Sequence, residues 1–139
     1  MEAPNSPKVI NVVGAAIVRD DTVLCAQRGP GKSLAGYWEF PGGKIEPHET
    51  PRRALHREIE EELLCEVDVA EEVCTSEYAY DFGIVRLTTF VCHLVSGMPR
   101  LTEHTDIRWL APDAMPQLDW APVDREAVAI IATKRTLTR

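Results

Sequence analysis

Between Thr50 and Leu64 the chain carries a run that only an amphipathic helix laid on an apolar layer can satisfy. Thr50-Pro51 is a helix start, with Thr as cap and Pro in the first turn, where its missing N–H costs nothing. Leu55, Ile59 and Leu63 follow at intervals of four and make one apolar stripe. That stripe needs a sheet to pack on, and the flanking sequence supplies β-branched stretches. Val9 to Arg19 and Thr22 to Arg28 read as a hairpin about the turn signal Asp20-Asp21. Gly29-Pro30-Gly31-Lys32 ends it.

Further along, a short extended segment, Tyr37 to Phe40, runs into a Pro41-Gly42-Gly43 loop. Glu66 to Tyr80 and Ile84 to Val95 read as extended stretches turning at Asp81-Phe82-Gly83. Ile107 to Leu110 reads as one more strand and Pro112 to Met115 as a turn or short helix. Asp124 to Thr133 is a final helix rich in Ala, Val and Ile. Met1 to Lys8, with two prolines, an Asn and a Ser, reads as a loose lead-in. Without repeats or linkers, residues 1–139 are expected to form one α/β domain.

Charge and cysteine usage narrow the function classes. A net charge of −7 disfavours nucleic acid polymers, whose binding depends on Lys and Arg neutralising phosphates. A small polyanion is still compatible, given divalent metal and a few placed cations. Cys25, Cys65, Cys74 and Cys92 contain no Cys-x-x-Cys pair and read as reduced structural thiols. The apolar run Val12 to Val18 is too short to span a bilayer. These features predict a cytoplasmic protein with no membrane partner, a monomer or homodimer.

Chemistry concentrates in Arg57-Glu58-Ile59-Glu60-Glu61-Glu62. At about 100° per residue, Glu58, Glu61 and Glu62 fall within roughly 100° of helix arc, while Glu60 points elsewhere. Like charges four apart destabilise a helix by a few tenths of a kcal/mol. Most Glu-rich helices are nonetheless only solvated acidic faces. The preceding loop alters that balance, because Gly42-Gly43 can bring a backbone carbonyl to an ion, and an all-oxygen donor set suits Mg²⁺.

Gly43, five residues, Glu49, seven residues, then Arg57-Glu58-Ile59, one residue and Glu61-Glu62 resembles the Nudix box, the strand-loop-helix signature of Nudix hydrolases. Trp38-Glu39-Phe40-Pro41-Gly42-Gly43-Lys44-Ile45-Glu46 extends the resemblance to the MutT-type and CTP pyrophosphohydrolase-like branch. The resemblance implies an α/β/α sandwich with a mixed β-sheet. It implies Mg²⁺, for which Mn²⁺ can substitute, held by Glu58, Glu61, Glu62 and the Gly42 carbonyl. Glu58 would also be the general base, Arg57 would orient the acids with Glu49 as partner, and Glu103 would be a further metal-binding or basic glutamate. His104 reads as part of the polar loop and not as a ligand.

Substrate contacts implied in the same way fall on Arg28, Glu39, Phe40, Pro41, Gly42, Lys44 and Tyr80, with Tyr78 an alternative stacking face. Asp124 would read the base; its plainer role is to cap the last helix. The implied reaction is cleavage of a small-molecule nucleoside triphosphate to monophosphate and pyrophosphate, clearing modified or oxidised nucleotides of the CTP or 8-oxo-dGTP type. Two rivals are hydrolysis of a nucleoside diphosphate-X compound such as ADP-ribose, and a nucleotide sensor without catalysis. The family usually has Gly where this chain has Leu64. A left-handed Leu costs about 1–2 kcal/mol, so a different helix exit is expected.

Overall fold

The computed structural model describes residues 8–100, 102 and 104–134. Strands β1 (Val9–Arg19) and β2 (Thr22–Arg28) form the expected hairpin, with Asp20 and Asp21 both at positive φ in the turn. Strands β3 (Trp38–Glu39) and β4 (Gly42–Lys44) are short. The long helix α1 is Pro51–Leu63, followed by β5 (Glu66–Tyr80), β6 (Gly83–Ser96) and β7 (His104–Leu110). Two 3₁₀ segments, Pro112–Gln117 and Pro122–Asp124, lead into α2 (Arg125–Ala132).

All seven strands join one mixed sheet, ordered β3-β2-β1-β6-β5, with β4 also on β1 and β7 also on β2. The β1–β6 pair is parallel and the others are antiparallel. Side chains alternate across a strand, and the core divides accordingly. Val13, Ala15 and Ile17 of β1 join Leu24, Ala26, Phe90 and Cys92 under Leu55, Ile59 and Leu63 of α1. On the opposite face, Ala16 and Val18 join Val23, Cys25 and Val91 beneath Ala127, Val128 and Ile131 of α2. This is the expected α/β/α sandwich. Each fully buried aliphatic side chain contributes about 1.5–3 kcal/mol of transfer free energy.

Thr50 caps α1 as expected, its hydroxyl accepting from the Arg53 N–H at 3.2 Å. At the other end the expectation fails: Leu64 takes the left-handed conformation, φ 57° and ψ 39°. The helix keeps its ordinary exit because its last carbonyls are satisfied. Leu64 N–H bonds the Glu60 carbonyl at 3.2 Å, Arg100 N–H bonds that of Leu63 at 2.9 Å, and the Thr102 hydroxyl bonds that of Glu62. Hydrogen bonds worth about 0.5–1.5 kcal/mol each offset the strain of one non-glycine residue. The Pro41-Gly42-Gly43 reading also changes. Gly42–Lys44 pairs with Val12–Gly14 of β1, so both glycines are strand residues and not a free loop.

Candidate active site

Arg57 is the organising side chain. Its Nε and Nη2 donate to the two oxygens of Glu49 at 2.6 and 2.9 Å, a forked pair of the kind a planar guanidinium makes best. Nη1 donates to Glu58 at 3.1 Å and to Glu61 at 3.3 Å, and Nη2 also reaches the Lys44 carbonyl at 3.2 Å. One cation thus answers the repulsion inherent in this acidic helix. Glu49 closes its own turn, its Oε1 accepting the Glu46 N–H at 3.0 Å.

The hydrogen bonds from Arg57, then the one from Glu46, hold the Glu49 carboxyl at about 2. A depressed carboxylate adds stability that is fully present above its unfolded value, near 4.3, and is lost as pH falls toward the folded one. Glu49→Gln is therefore expected to lower the urea midpoint at neutral pH, with the gap from wild type closing between about pH 5 and pH 2. A gap that stays constant over that range would show that the ion pair adds no stability.

Glu58 lies against Gly43, and a Cβ there would stand 2.6 Å from its Oε2. Burial pushes the Glu58 carboxyl up, and Arg57 opposes that less strongly. Glu62, one turn on from Glu58, lines a cavity of about 380 Å³ together with Gly42, Gly43 and Lys44. Among the described residues no three His, Cys, Asp or Glu side chains converge as a preassembled metal cluster. The donors nevertheless fit a hard divalent cation: carboxylates on successive turns, with a glycine cradle leaving Glu58 its space. Glu103 lies outside the described residues.

Residues of β3, β5 and the segment before α2 line the same cavity. Phe40 packs on Trp120 with ring centroids 4.9 Å apart, and Pro41 is buried behind it. The Tyr80 hydroxyl accepts the Val123 N–H at 3.1 Å, and its ring stacks on Phe82 at 5.2 Å, so Tyr80 rather than Tyr78 lines the cavity. Asp124 is 3% exposed. It makes no capping hydrogen bond to α2; instead its Oδ1 accepts the Phe40 N–H at 3.3 Å. Burial, and secondarily the nearby Glu39, push its carboxyl well above the ordinary Asp range. The shift favours the neutral carboxyl, which can donate as well as accept.

Arg28, expected as a substrate contact, lines the cavity and is held by Glu39 at 2.8 Å and by the Ser33 carbonyl at 2.6 Å. His104 is not a loop residue. It opens β7, its side chain is only 5% exposed, and its Nε2 lies 3.0 Å from the second Glu39 oxygen. The sequence reading set His104 aside as a loop residue and gave Lys32 and Ser33 no role in the site, yet all three line the cavity. No local motif marks them, since a register shift in the β2–β7 pairing sets Arg28 opposite His104.

Comparison with known proteins gives a consistent result. The NUDIX domain model matches residues 9–129. The CTP pyrophosphohydrolase of Escherichia coli (strain K12) is 39% identical over 117 residues, covering 84% of this chain and 87% of that protein. The 8-oxo-dGTP diphosphatase of Proteus vulgaris is 40% identical over 93 residues, covering 66% and 81%. Among solved structures, the MutT protein of methicillin-resistant Staphylococcus aureus 252, named as a Nudix hydrolase, superposes with a TM-score of 0.77. It is 53% identical, with 92% of this chain and 98% of that one covered.

Proposed function

The chain belongs to the Nudix family and is a pyrophosphohydrolase of phosphoric anhydrides, and from that premise we propose that it hydrolyses nucleoside triphosphates to monophosphate and pyrophosphate in a Mg²⁺-dependent reaction, acting on modified or oxidised nucleotides. The observation that carries this reading is the continuity of one cavity. Glu62, Gly42 and Gly43 line the same cavity as Phe40, Tyr80 and Asp124, so groups suited to phosphates and groups suited to a base face one space. No helix among the described residues is long and apolar enough to cross a membrane.

Glu58, Glu61, Glu62 and the Gly42 carbonyl would hold Mg²⁺, which supplies charge withdrawal from the phosphoryl oxygens when bound. The chain's own groups do the rest. Glu58, seated against Gly43, receives the proton of the attacking water. Arg57 keeps Glu58 and Glu61 in place through its forked bonds to Glu49. Lys44 faces the phosphates from β4, and the Tyr80 and Phe40 rings enclose the base. In-line attack between the α and β phosphates then divides the substrate into its two products.

A panel of ordinary and oxidised nucleoside triphosphates with ADP-ribose, ranked by kcat/KM and followed by product analysis, tests the reading. Diphosphate and inorganic phosphate as products would place the attack elsewhere, and ADP-ribose as preferred substrate would favour the nucleoside diphosphate-X class.

Asp124 is assigned to base recognition. Asp124→Asn is expected to change the kcat/KM ratio between cytosine and oxidised-guanine triphosphates about tenfold, the scale of one hydrogen bond. Stability gives a second readout. A buried carboxyl with a raised value loses stability as pH rises from its unfolded value through its folded one. The amide should therefore match or exceed wild-type stability at alkaline pH and lose that advantage near pH 4. An unchanged substrate ratio would leave Asp124 a purely structural residue.

A further inference from the structure

We propose that His104 is a positioning residue for substrate selection: through Nε2 it fixes the Glu39 carboxylate so that Glu39 presents acceptors to an N–H edge of the base. The inference rests on the reading above that a nucleotide occupies this cavity.

Three strands meet at this point. Arg28 ends β2, Glu39 ends β3 and His104 begins β7, and the register shift between Gln27 and Arg28 pairs Arg28 with His104. Glu39 lies between them, with Oε1 taking the Arg28 guanidinium at 2.8 Å and Oε2 within 3.0 Å of the imidazole. A carboxylate only accepts, so Nε2 must carry the proton. Each Glu39 oxygen has then spent one lone-pair direction on the protein and keeps another. Glu39 is 20% exposed by side chain and lines the cavity beside Asp124.

The other ring nitrogen supports a role for the residue beyond packing. His104 Nδ1 is buried and has no hydrogen-bond partner among the described residues. Burying a ring nitrogen unpaired costs stability, and an apolar side chain at the start of β7 would avoid that cost. What an apolar side chain cannot do is donate to Glu39. Without His104, Glu39 keeps its Arg28 contact on one oxygen only and can swing about that bond.

The test uses His104→Leu and His104→Gln, the latter placing an amide N–H near the position of Nε2. KM and kcat are measured with CTP, dCTP and oxidised dGTP, together with thermal midpoints and a Glu39→Gln/His104→Leu double variant. His104→Leu is expected to raise KM about tenfold with kcat within about twofold and an unchanged thermal midpoint. His104→Gln should restore most of the KM, and the double variant should bind no worse than Glu39→Gln alone, because the two residues act as one unit. Equal KM for wild type and His104→Leu would overturn the proposal, as would failure of Gln to rescue or a parallel loss of kcat and thermal midpoint. An effect confined to CTP would assign the contact to the ribose hydroxyl and overturn recognition of the base. If the wild type hydrolyses none of these nucleotides, the functional reading itself fails; if it does and only the His104 effects are missing, this inference alone fails.

Discussion

Glu62→Gln is expected to leave the thermal midpoint unchanged and lower kcat by at least about a hundredfold, beyond the tenfold to hundredfold typical when a residue that merely supports a metal ligand is lost. The amide is nearly isosteric with the carboxyl and removes only its charge. Glu62 occupies the last turn of α1 and is the residue of the acidic run that lines the cavity. Glu58 and Glu61 both receive hydrogen bonds from the Arg57 guanidinium, which balances part of their charge. The decisive measurement is turnover at saturating Mg²⁺, because a weakened site can be refilled by mass action whereas a missing ligand alters the site itself. Near-wild-type turnover under those conditions would remove Glu62 from the ligand set.

The sequence was most informative where local chemistry decides local structure. Thr50-Pro51 and the stripe Leu55, Ile59 and Leu63 mark both the start and the buried face of α1, because cap and spacing each act within a few residues. Asp20-Asp21 marks the hairpin for the same reason. Leu64 misled because its left-handed strain is offset by Arg100 and Thr102, residues far along the chain whose contribution no local pattern announces. Asp124 misled in another way. Its position before α2 suits a cap, but its carboxyl turns across to the Phe40 N–H, 84 residues away in sequence. His104 reads as a loop residue in the sequence because a register shift between two strands, and not a motif, brings it to Glu39. The acidic box was legible as a pattern, whereas its neutralisation by one guanidinium is a matter of three-dimensional geometry.

Gly42 and Gly43 stand side by side in the same motif, yet alanine at each is expected to fail differently. Added at Gly42, a Cβ would collide with the Val13 carbonyl and carbonyl carbon, which are backbone of the central strand and cannot move aside. Gly42→Ala must therefore shift the β1–β4 pairing, at a cost of about 3 kcal/mol or more, and lower the thermal midpoint by roughly 10 °C. At Gly43 the colliding atoms are the carboxyl group of Glu58, the free end of a flexible side chain. Gly43→Ala can relieve that clash by rotating Glu58, so the fold should persist with a midpoint within about 2 °C of wild type. The rotation takes the carboxylate from its seat between Gly43 and Arg57, where it is placed to hold metal and accept a proton. Activity should then fall by about 10²–10⁴-fold, the range associated with losing a positioned general base. Thermal unfolding and kcat measured on both variants separate the two effects. If Gly43→Ala keeps both stability and turnover, Glu58 does not act from the seat in which the structure places it.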